Sequence, residues 1–441
     1  MIAFWEFFTD PVLRAPTIGS ILMCVASSLV GAVVVLRKRS LLGEALSHAA
    51  YPGVVLAVAV FACFFSSFEE SFSYIVLGGA FLFALLGARV LDFLQSRFSM
   101  KDDSLLCLVL SSFFGVGVLV ASRIQFSHPL LYKQVQVFLY GQAATMTDIH
   151  VVLYGVLCVI VVVSFLLFFR VFEVVTFDRN FAKSLNISVS LVDTWMIWLL
   201  VLAVVVGIRS VGVVLMSGML VAPVLCARQL TCSMKKVLIF SAIIGGVSGF
   251  LGNYLSLTLS QYLSERASMR VSLPTGPMIL LASSFFCMAA IILSPKRGLI
   301  FRFIRRHRFK NQSQRENMVK SLWKHRQKTG FTLSQICTMQ NLSKLEGLFQ
   351  LRVLIYQGWI EKKKGLYLLN EDGRQKAAHI VRLHRLWEAY LVQMGHSKEK
   401  VHASAEEMEH VLTPEIERQL MEFLGDPKED PHQQPIPGSK L

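Results

Sequence analysis

The 441-residue chain is 54% hydrophobic and only 17% charged, whereas ordinary soluble domains carry roughly 25% charged residues, so the composition points to a membrane protein. Its net charge of +15 is unevenly spread: residues 1–295 hold 18 Lys and Arg against 13 Asp and Glu, residues 296–441 hold 26 against 16. This implies an apolar body followed by a basic, water-compatible tail.

The N-terminus lacks the basic segment and small-residue cleavage site of a secretion signal, so the first apolar segment is expected to be retained. Stretches able to cross ~30 Å of hydrocarbon fall near 18–36, 45–65, 73–94, 104–121, 149–169, 191–208, 237–260 and 277–293, with a shorter, glycine-interrupted one at 211–227. The basic residues Arg37, Lys38, Arg39, Arg97, Lys101, Arg179, Lys183, Lys235 and Lys236 occupy alternate loops. The positive-inside bias places those loops in the cytoplasm. If 211–227 crosses, there are nine spans with the N-terminus outside; if it is re-entrant, there are eight with the N-terminus inside. The tail is cytoplasmic in both cases, because KRGLIFRFIRRHRFK (296–310) is the most basic segment of the chain.

Beyond it, NQSQREN (311–317) reads as a polar linker, 318–328 as a helix, and 331–357 as a helix-turn-helix. WIEKKKGLYLLNEDG (359–373) reads as a hairpin wing, followed by amphipathic helices near 374–394, 398–412 and 414–424. The second helix of the helix-turn-helix is the element that enters a DNA major groove. Ser343, Lys344 and Gln350 are its candidate DNA-facing residues. Lys362, Lys363 and Lys364 of the wing would contact phosphates, if they are more than a solvated turn.

Glu44 and His48, in LLGEALSHAAYPGVVLA, lie four residues apart on one face of the second span. Ionisable groups there are costly against lipid and point to an ion path, and carboxylate with imidazole suits a first-row divalent metal. A buried Glu–His pair that ties two helices together is the alternative. In the tail, His384 and Glu388 share a helix face, and His402, Glu406, Glu409 and His410 share another. They form either one or two octahedral-type metal sites without thiolate or a solvated charged face. The eight cysteines form no C-x-x-C pair and read as small buried hydrophobes. No G-x-x-x-x-G-K-[ST] occurs, so no bound nucleotide is expected. With no H-E-x-x-H and no nucleophile–base motif, no catalytic residue is assigned.

Residues 41–57, FDRNFAKSLNISVSLVD (177–193), RSVGVVLMSGMLVAPVLCARQLT (209–231), SLPTGP (272–277) and SPKRG (294–298) resemble the manganese/zinc/iron permease family of ABC transporters. The resemblance covers about 280 residues. It implies an all-α polytopic membrane body of the type II importer class in a bacterial inner membrane. Glu44 and His48 would line the path, with Glu44 where the family usually has Asp. It also implies a separate ABC ATPase, an extracytoplasmic metal-binding protein, and a second permease subunit, identical or paralogous. The ATPase is expected on cytoplasmic loops, with 222–236 the candidate stretch.

The tail is similar to DtxR-type iron- and manganese-dependent repressors over about 120 residues, from the helix-turn-helix through the last helices. That resemblance implies a mainly α winged helix-turn-helix (317–373) and a helical metal-binding and dimerisation domain (374–441), joined to the permease (1–295) by a basic linker (296–316). His384, Glu388, His402, Glu406, Glu409 and His410 match the family's metal positions. Oxygen rather than sulfur at Glu406 favours Mn(II) or Fe(II). Asn317 and Lys320 depart from the pattern, standing where the family supplies metal ligands. The combined expectation is a metal permease whose tail binds DNA as a metal-dependent dimer, released by proteolysis near 300–316. The alternative is a tail that gates transport and never binds DNA.

Overall fold

A run of about twenty apolar residues can satisfy its backbone in hydrocarbon only by bonding to itself as a helix. The computed structural model describes residues 5–64, 71–127, 129–141, 143, 146–267, 272–295, 297–325, 330–397, 401–425 and 427–438. Among these, nine helices are long and apolar enough to cross a membrane. The described residues divide into two units, Met1–Phe301 and Arg302–Leu441.

The first unit begins with a short α1 (Glu6–Thr9), then α2 (Pro11–Leu36), α3 (Leu41–Phe64), α4 (Ser71–Arg97) and α5 (Asp102–Ser127). The shorter α6 (Pro129–Tyr140) precedes α7 (Asp148–Phe177), α8 (Arg179–Ser184), α9 (Val189–Val211), α10 (Val213–Leu230), α11 (Met234–Ala267) and α12 (Thr275–Leu293). Contacts between helix ends fix their directions. At one end of the bundle, Arg37 after α2 donates to Asp193 near the start of α9 (2.6 Å), and Arg39 before α3 donates to Asp102 at the start of α5 (3.2 Å). Ser294 after α12 donates to the carbonyl of Gln229 near the end of α10 (2.6 Å). At the other end, Arg14 of α2 donates to Asp148 at the start of α7 (3.0 Å), and Asn253 of α11 donates to Thr17 (2.8 Å).

These pairings also settle the segment at 211–227. It is the eighteen-residue α10, separated from α9 by Gly212 alone. Gly212 has φ +95°, and a Cβ there would lie 2.5 Å from the Tyr140 carbonyl carbon; Gly141, at φ +75°, is packed reciprocally against Val211. The reversal is possible because neither residue carries a side chain. Since α9 starts and α10 ends at the same end of the bundle, α10 runs the length of the bundle and is one of the nine helices long and apolar enough to cross a membrane. The stretch 222–236 is largely the second half of α10, so only Thr231–Ser233 remain between helices; α8 forms a longer exposed connection.

The second unit holds most of α13 (Leu299–Lys324), α14 (Leu333–Gln340), α15 (Lys344–Tyr356), the strands β1 (Ile360–Lys363) and β2 (Leu366–Leu369), and α16 (Glu371–Gln393), α17 (Val401–Met408) and α18 (Pro414–Leu424). β1 and β2 pair antiparallel with Ile360 opposite Leu369, turning at Lys364–Gly365, both of positive φ. Reciprocal capping boxes at Thr332/Gln335 and Ser343/Glu346 start α14 and α15, satisfying orphan helix amides. Met318, Val319 and Leu322 of α13 pack with Ile336, Leu351, Leu354, Ile360 and Tyr367 into one core. Residues 299–316, expected as linker, are helical and continuous with the helix that builds this core.

Candidate metal sites and DNA-facing surface

Glu44 lies in the first turn of α3 and is half-buried, while His48, one turn further in, is only 9% exposed. The His48 ring meets Phe114 of α5 edge-on, with centroids 4.7 Å apart, and its Nδ1 has no hydrogen-bond partner among the described residues. A buried ring nitrogen left free is uncommon in a purely structural histidine and is what a ligand offers. Cβ atoms at Gly43 and Gly31 would collide with the side chain and backbone of Leu220 in α10, so α10 packs close to this end of α3.

In the tail, α16 presents His384 and Glu388 one turn apart, and α17 presents His402 toward them. Their ligand atoms lie within 4.8 Å of one another, the one such metal-capable group among the described residues. His402 Nδ1 is 2.7 Å from Glu388 Oε1 and 3.0 Å from His384 Nε2, which is 3.2 Å from the same Oε1. Ligands ~2.1 Å from one ion at right angles to each other are about 3 Å apart, so the donor set and spacing fit a divalent cation. Burial opposes charge on Glu388, but hydrogen bonds from His384 and His402 outweigh it and hold its carboxyl down at about 2. Burial likewise opposes protonation of His384, yet hydrogen bonds to Glu388 and Glu409 prevail and raise its pKa above the ordinary imidazole value.

The remaining expected ligands divide. Glu406 is exposed and outside this group. Glu409, fully buried at its side chain, accepts from Lys320 Nζ on both oxygens (2.6 and 2.8 Å), and its Oε2 is 2.5 Å from His384 Nδ1. His410 has both ring nitrogens engaged, Nδ1 with Glu316 (2.6 Å) and Nε2 with Asn317 (3.1 Å). Burial would raise the Glu316 carboxyl, but the His410 hydrogen bond and the Lys376 charge hold it below its usual range. Of the six residues, His384, Glu388 and His402 converge, and Glu409 bonds both to His384 and to Lys320 of α13. His410 bonds to α13 with its Nε2 3.6 Å from Glu409, and Glu406 is exposed. Glu316 was not anticipated, although its i,i+4 relation to Lys320 places both on one face of α13.

On the helix-turn-helix, Ser343 and Lys344 are exposed at the start of α15, with Ser343 capping the helix through Glu346. Gln350 is a correction: it is 3% exposed, and its amide donates to Asn311 (3.3 Å) and Gln314 (3.5 Å) of α13. It fastens α15 to α13 and cannot reach a base. The exposed side of α15 carries Leu345, Phe349, Arg352 and Tyr356. Lys362, Lys363 and Lys364 are all exposed, with Lys363 paired to Glu361 (2.6 Å) and Lys362 over the Tyr367 ring.

A body with nine helices, among the described residues, long enough to cross a membrane, followed by a helical tail with a His–Glu–His group, is that of a metal-transport permease joined to a repressor-like domain. The chain belongs to the ABC 3 transport family, whose model matches residues 9–294. Residues 370–438 match the iron dependent repressor, metal binding and dimerisation domain. It is 35% identical over 98% of its length, and 97% of the relative's, to a probable metal transport system membrane protein of Chlamydia trachomatis. To the manganese transport system membrane protein MntC of Bacillus subtilis it is 32% identical, over 88% of this chain and 86% of that one. PsaBC from Streptococcus pneumoniae, solved with a Fab, shares the fold of the body with a TM-score of 0.55 at 22% identity, covering 66% of this chain and 95% of that one.

Proposed function

We propose that the chain is the permease of an ATP-driven importer of a divalent metal (manganese, iron or zinc) in the bacterial inner membrane, and that its cytoplasmic tail, with Mn(II) or Fe(II) favoured in its site, reports the imported ion to DNA. The observation that carries this reading is the convergence of His384, Glu388 and His402 in a chain that is itself a metal permease. Those three residues hold the ion in the tail, while Glu44 and His48 line the path. The manganese relative in Bacillus subtilis and the absence of thiolate from the donor set support a hard or borderline cation. The motor is a separate ABC ATPase, an extracytoplasmic metal-binding protein delivers the ion, and a second permease copy or paralogue completes the pathway. The tail dimerises on DNA, with Ser343 and Lys344 entering the groove and Lys362, Lys363 and Lys364 on phosphates.

Free repressor dimers search DNA more readily than tethered ones, which motivates proteolytic release near 300–316. Because this stretch is helical from Leu299, a protease needs it locally unfolded. An antibody to the tail reports release directly: the reading expects a shorter band that changes with metal supply, and a single full-length band in replete and starved cells refutes release.

One observation favours the second reading, a tail that gates transport without binding DNA. The exposed face of α15 carries Leu345 at 82% and Phe349 at 59% exposure ahead of Arg352 and Tyr356, and its apolar first turns are poorly suited to base edges. Gel shifts on the chain's own upstream DNA, with the tail fragment 302–441 and with or without Mn(II) or Fe(II), separate the two. A metal-dependent shift supports the repressor, and its absence with folded, metal-loaded fragment supports the gate.

A further inference from the structure

We infer that Lys320 and Glu409 are a positioning pair for a single ion held by His384, Glu388 and His402, and that Glu409 serves no second metal centre. The inference rests on the reading above that this three-residue group takes a divalent cation.

Glu409 is spoken for. Its side chain is 0% exposed, both its oxygens accept from the Lys320 ammonium at 2.6 and 2.8 Å, and Lys320 itself is buried, with 6% of its side chain exposed. An ammonium has three N–H donors and no lone pair, so Lys320 can hold a carboxylate but cannot bind a metal. A divalent ion on Glu409 would be buried beside that ammonium, with one carboxylate to offset three positive charges. Such an uncompensated arrangement is strongly disfavoured away from water. The other residues of a second centre are also committed. His410 is held through both nitrogens by Glu316 and Asn317, and Glu406 lies at the surface. The protein's own cation occupies this half of the cluster.

Glu409 keeps a different task. Its Oε2 is 2.5 Å from His384 Nδ1, closer than the Lys320 ammonium at 3.3 Å; with the proton on Nδ1 the carboxylate accepts it, and the Nε2 lone pair is left facing Glu388 and His402. Carboxylates that orient a ligating imidazole in this way strengthen its basicity and fix its tautomer. Lys320, bonded to both of its oxygens, holds that carboxylate in place. Lys320 also belongs to α13, whose Met318, Val319 and Leu322 sit in the winged-helix core. The orientation of His384 is thereby linked to the winged-helix core by one buried ion pair.

The test counts Mn(II) bound to the full chain in lipid nanodiscs, by equilibrium dialysis and electron paramagnetic resonance, in a Glu44→Ala/His48→Ala background that removes the membrane candidate. The unaltered tail should bind one ion per chain with an uncoupled six-line spectrum. Glu409→Gln and Lys320→Met should keep the count at one while weakening affinity roughly 10–100-fold, Lys320→Arg should restore most of it, and His384→Ala should bind none. Two ions in the unaltered tail, or a count falling from two to one in Glu409→Gln, overturns the inference, as does unchanged affinity in Glu409→Gln. Because Lys320→Met strands a buried carboxylate and can unfold the tail, the unaltered count and Glu409→Gln decide alone if it does. No ion at all in the unaltered tail overturns the metal reading beneath, a result distinct from two.

Discussion

On the reading proposed here, His384 takes a proton in the metal-free tail and a metal ion in the loaded one, and the two compete. Its pKa is raised above 6.5 because Glu388 and Glu409 outweigh the cost of burial. A raised value means that protonated His384 stabilises the metal-free fold fully below pH 6.5, and that this contribution fades as pH rises through the folded value. Glu388 runs the other way: depressed from 4.5 to about 2, it stabilises above pH 4.5 and its contribution is lost as pH falls toward 2. Since only neutral imidazole binds a metal, Mn(II) affinity of the tail should begin to fall at a pH above 6.5 and drop close to tenfold per unit below it. Titration calorimetry between pH 6 and 8.5 measures this; a flat profile would refute His384 as a ligand. In the body, Glu44→Ala with His48→Ala should abolish metal uptake while the protein remains in the membrane, checked by radiolabelled Mn(II) uptake and immunoblot. Helical phase made most of these residues legible, since spacing reveals which side chains share a face. It does not reveal what meets that face from another element, which is why Lys320 stood out only as a departure, Glu316 was missed, and Gln350 was assigned outward.

At the scale of elements, adjacent glycines show where sequence runs out. Gly78 and Gly79 follow one another in α4 and look alike in the chain, yet a Cβ on Gly78 meets nothing within 4 Å. A Cβ on Gly79 would lie 2.6 Å from the Gly53 carbonyl oxygen of α3, and one on Gly53 would lie 2.2 Å from that of Gly79. The two helices therefore touch backbone to backbone, the close approach that small residues permit in membranes. Gly79→Ala should destabilise the body by about 1–3 kcal/mol through overpacking, whereas Gly78→Ala should be neutral or slightly stabilising, since Ala exceeds Gly in helix propensity by up to ~1 kcal/mol. Thermal unfolding in detergent separates the pair, and equal effects would contradict the α3–α4 crossing. Hydropathy likewise located every long apolar run but left 211–227 open, because its status depends on Gly212 and on partners such as Gly141 and Ser294 that are remote in sequence. In the tail, Ser343→Ala should cost about 0.5–2 kcal/mol by removing the cap of α15, read from thermal melts of fragment 302–441.

At the scale of the whole molecule, one polypeptide carries two units with separate cores, one built from the long apolar helices and one around Met318, Leu351 and Tyr367. Substitutions far apart with no shared partners act independently, so transport and sensing should separate by mutation. His384→Ala with His402→Ala removes two of the three proposed tail ligands, both in the second unit. On the reading proposed here, it should leave the initial rate of Mn(II) uptake within twofold of normal and abolish metal-dependent repression of a reporter placed behind the chain's own upstream DNA. On the gating reading, the same variant changes uptake itself and leaves the reporter indifferent to metal in both forms. Glu44→Ala with His48→Ala supplies the converse, loss of uptake with a purified tail that still binds metal. If both variants impair both activities, the ion path and the tail cannot be the independent devices that their separate cores imply.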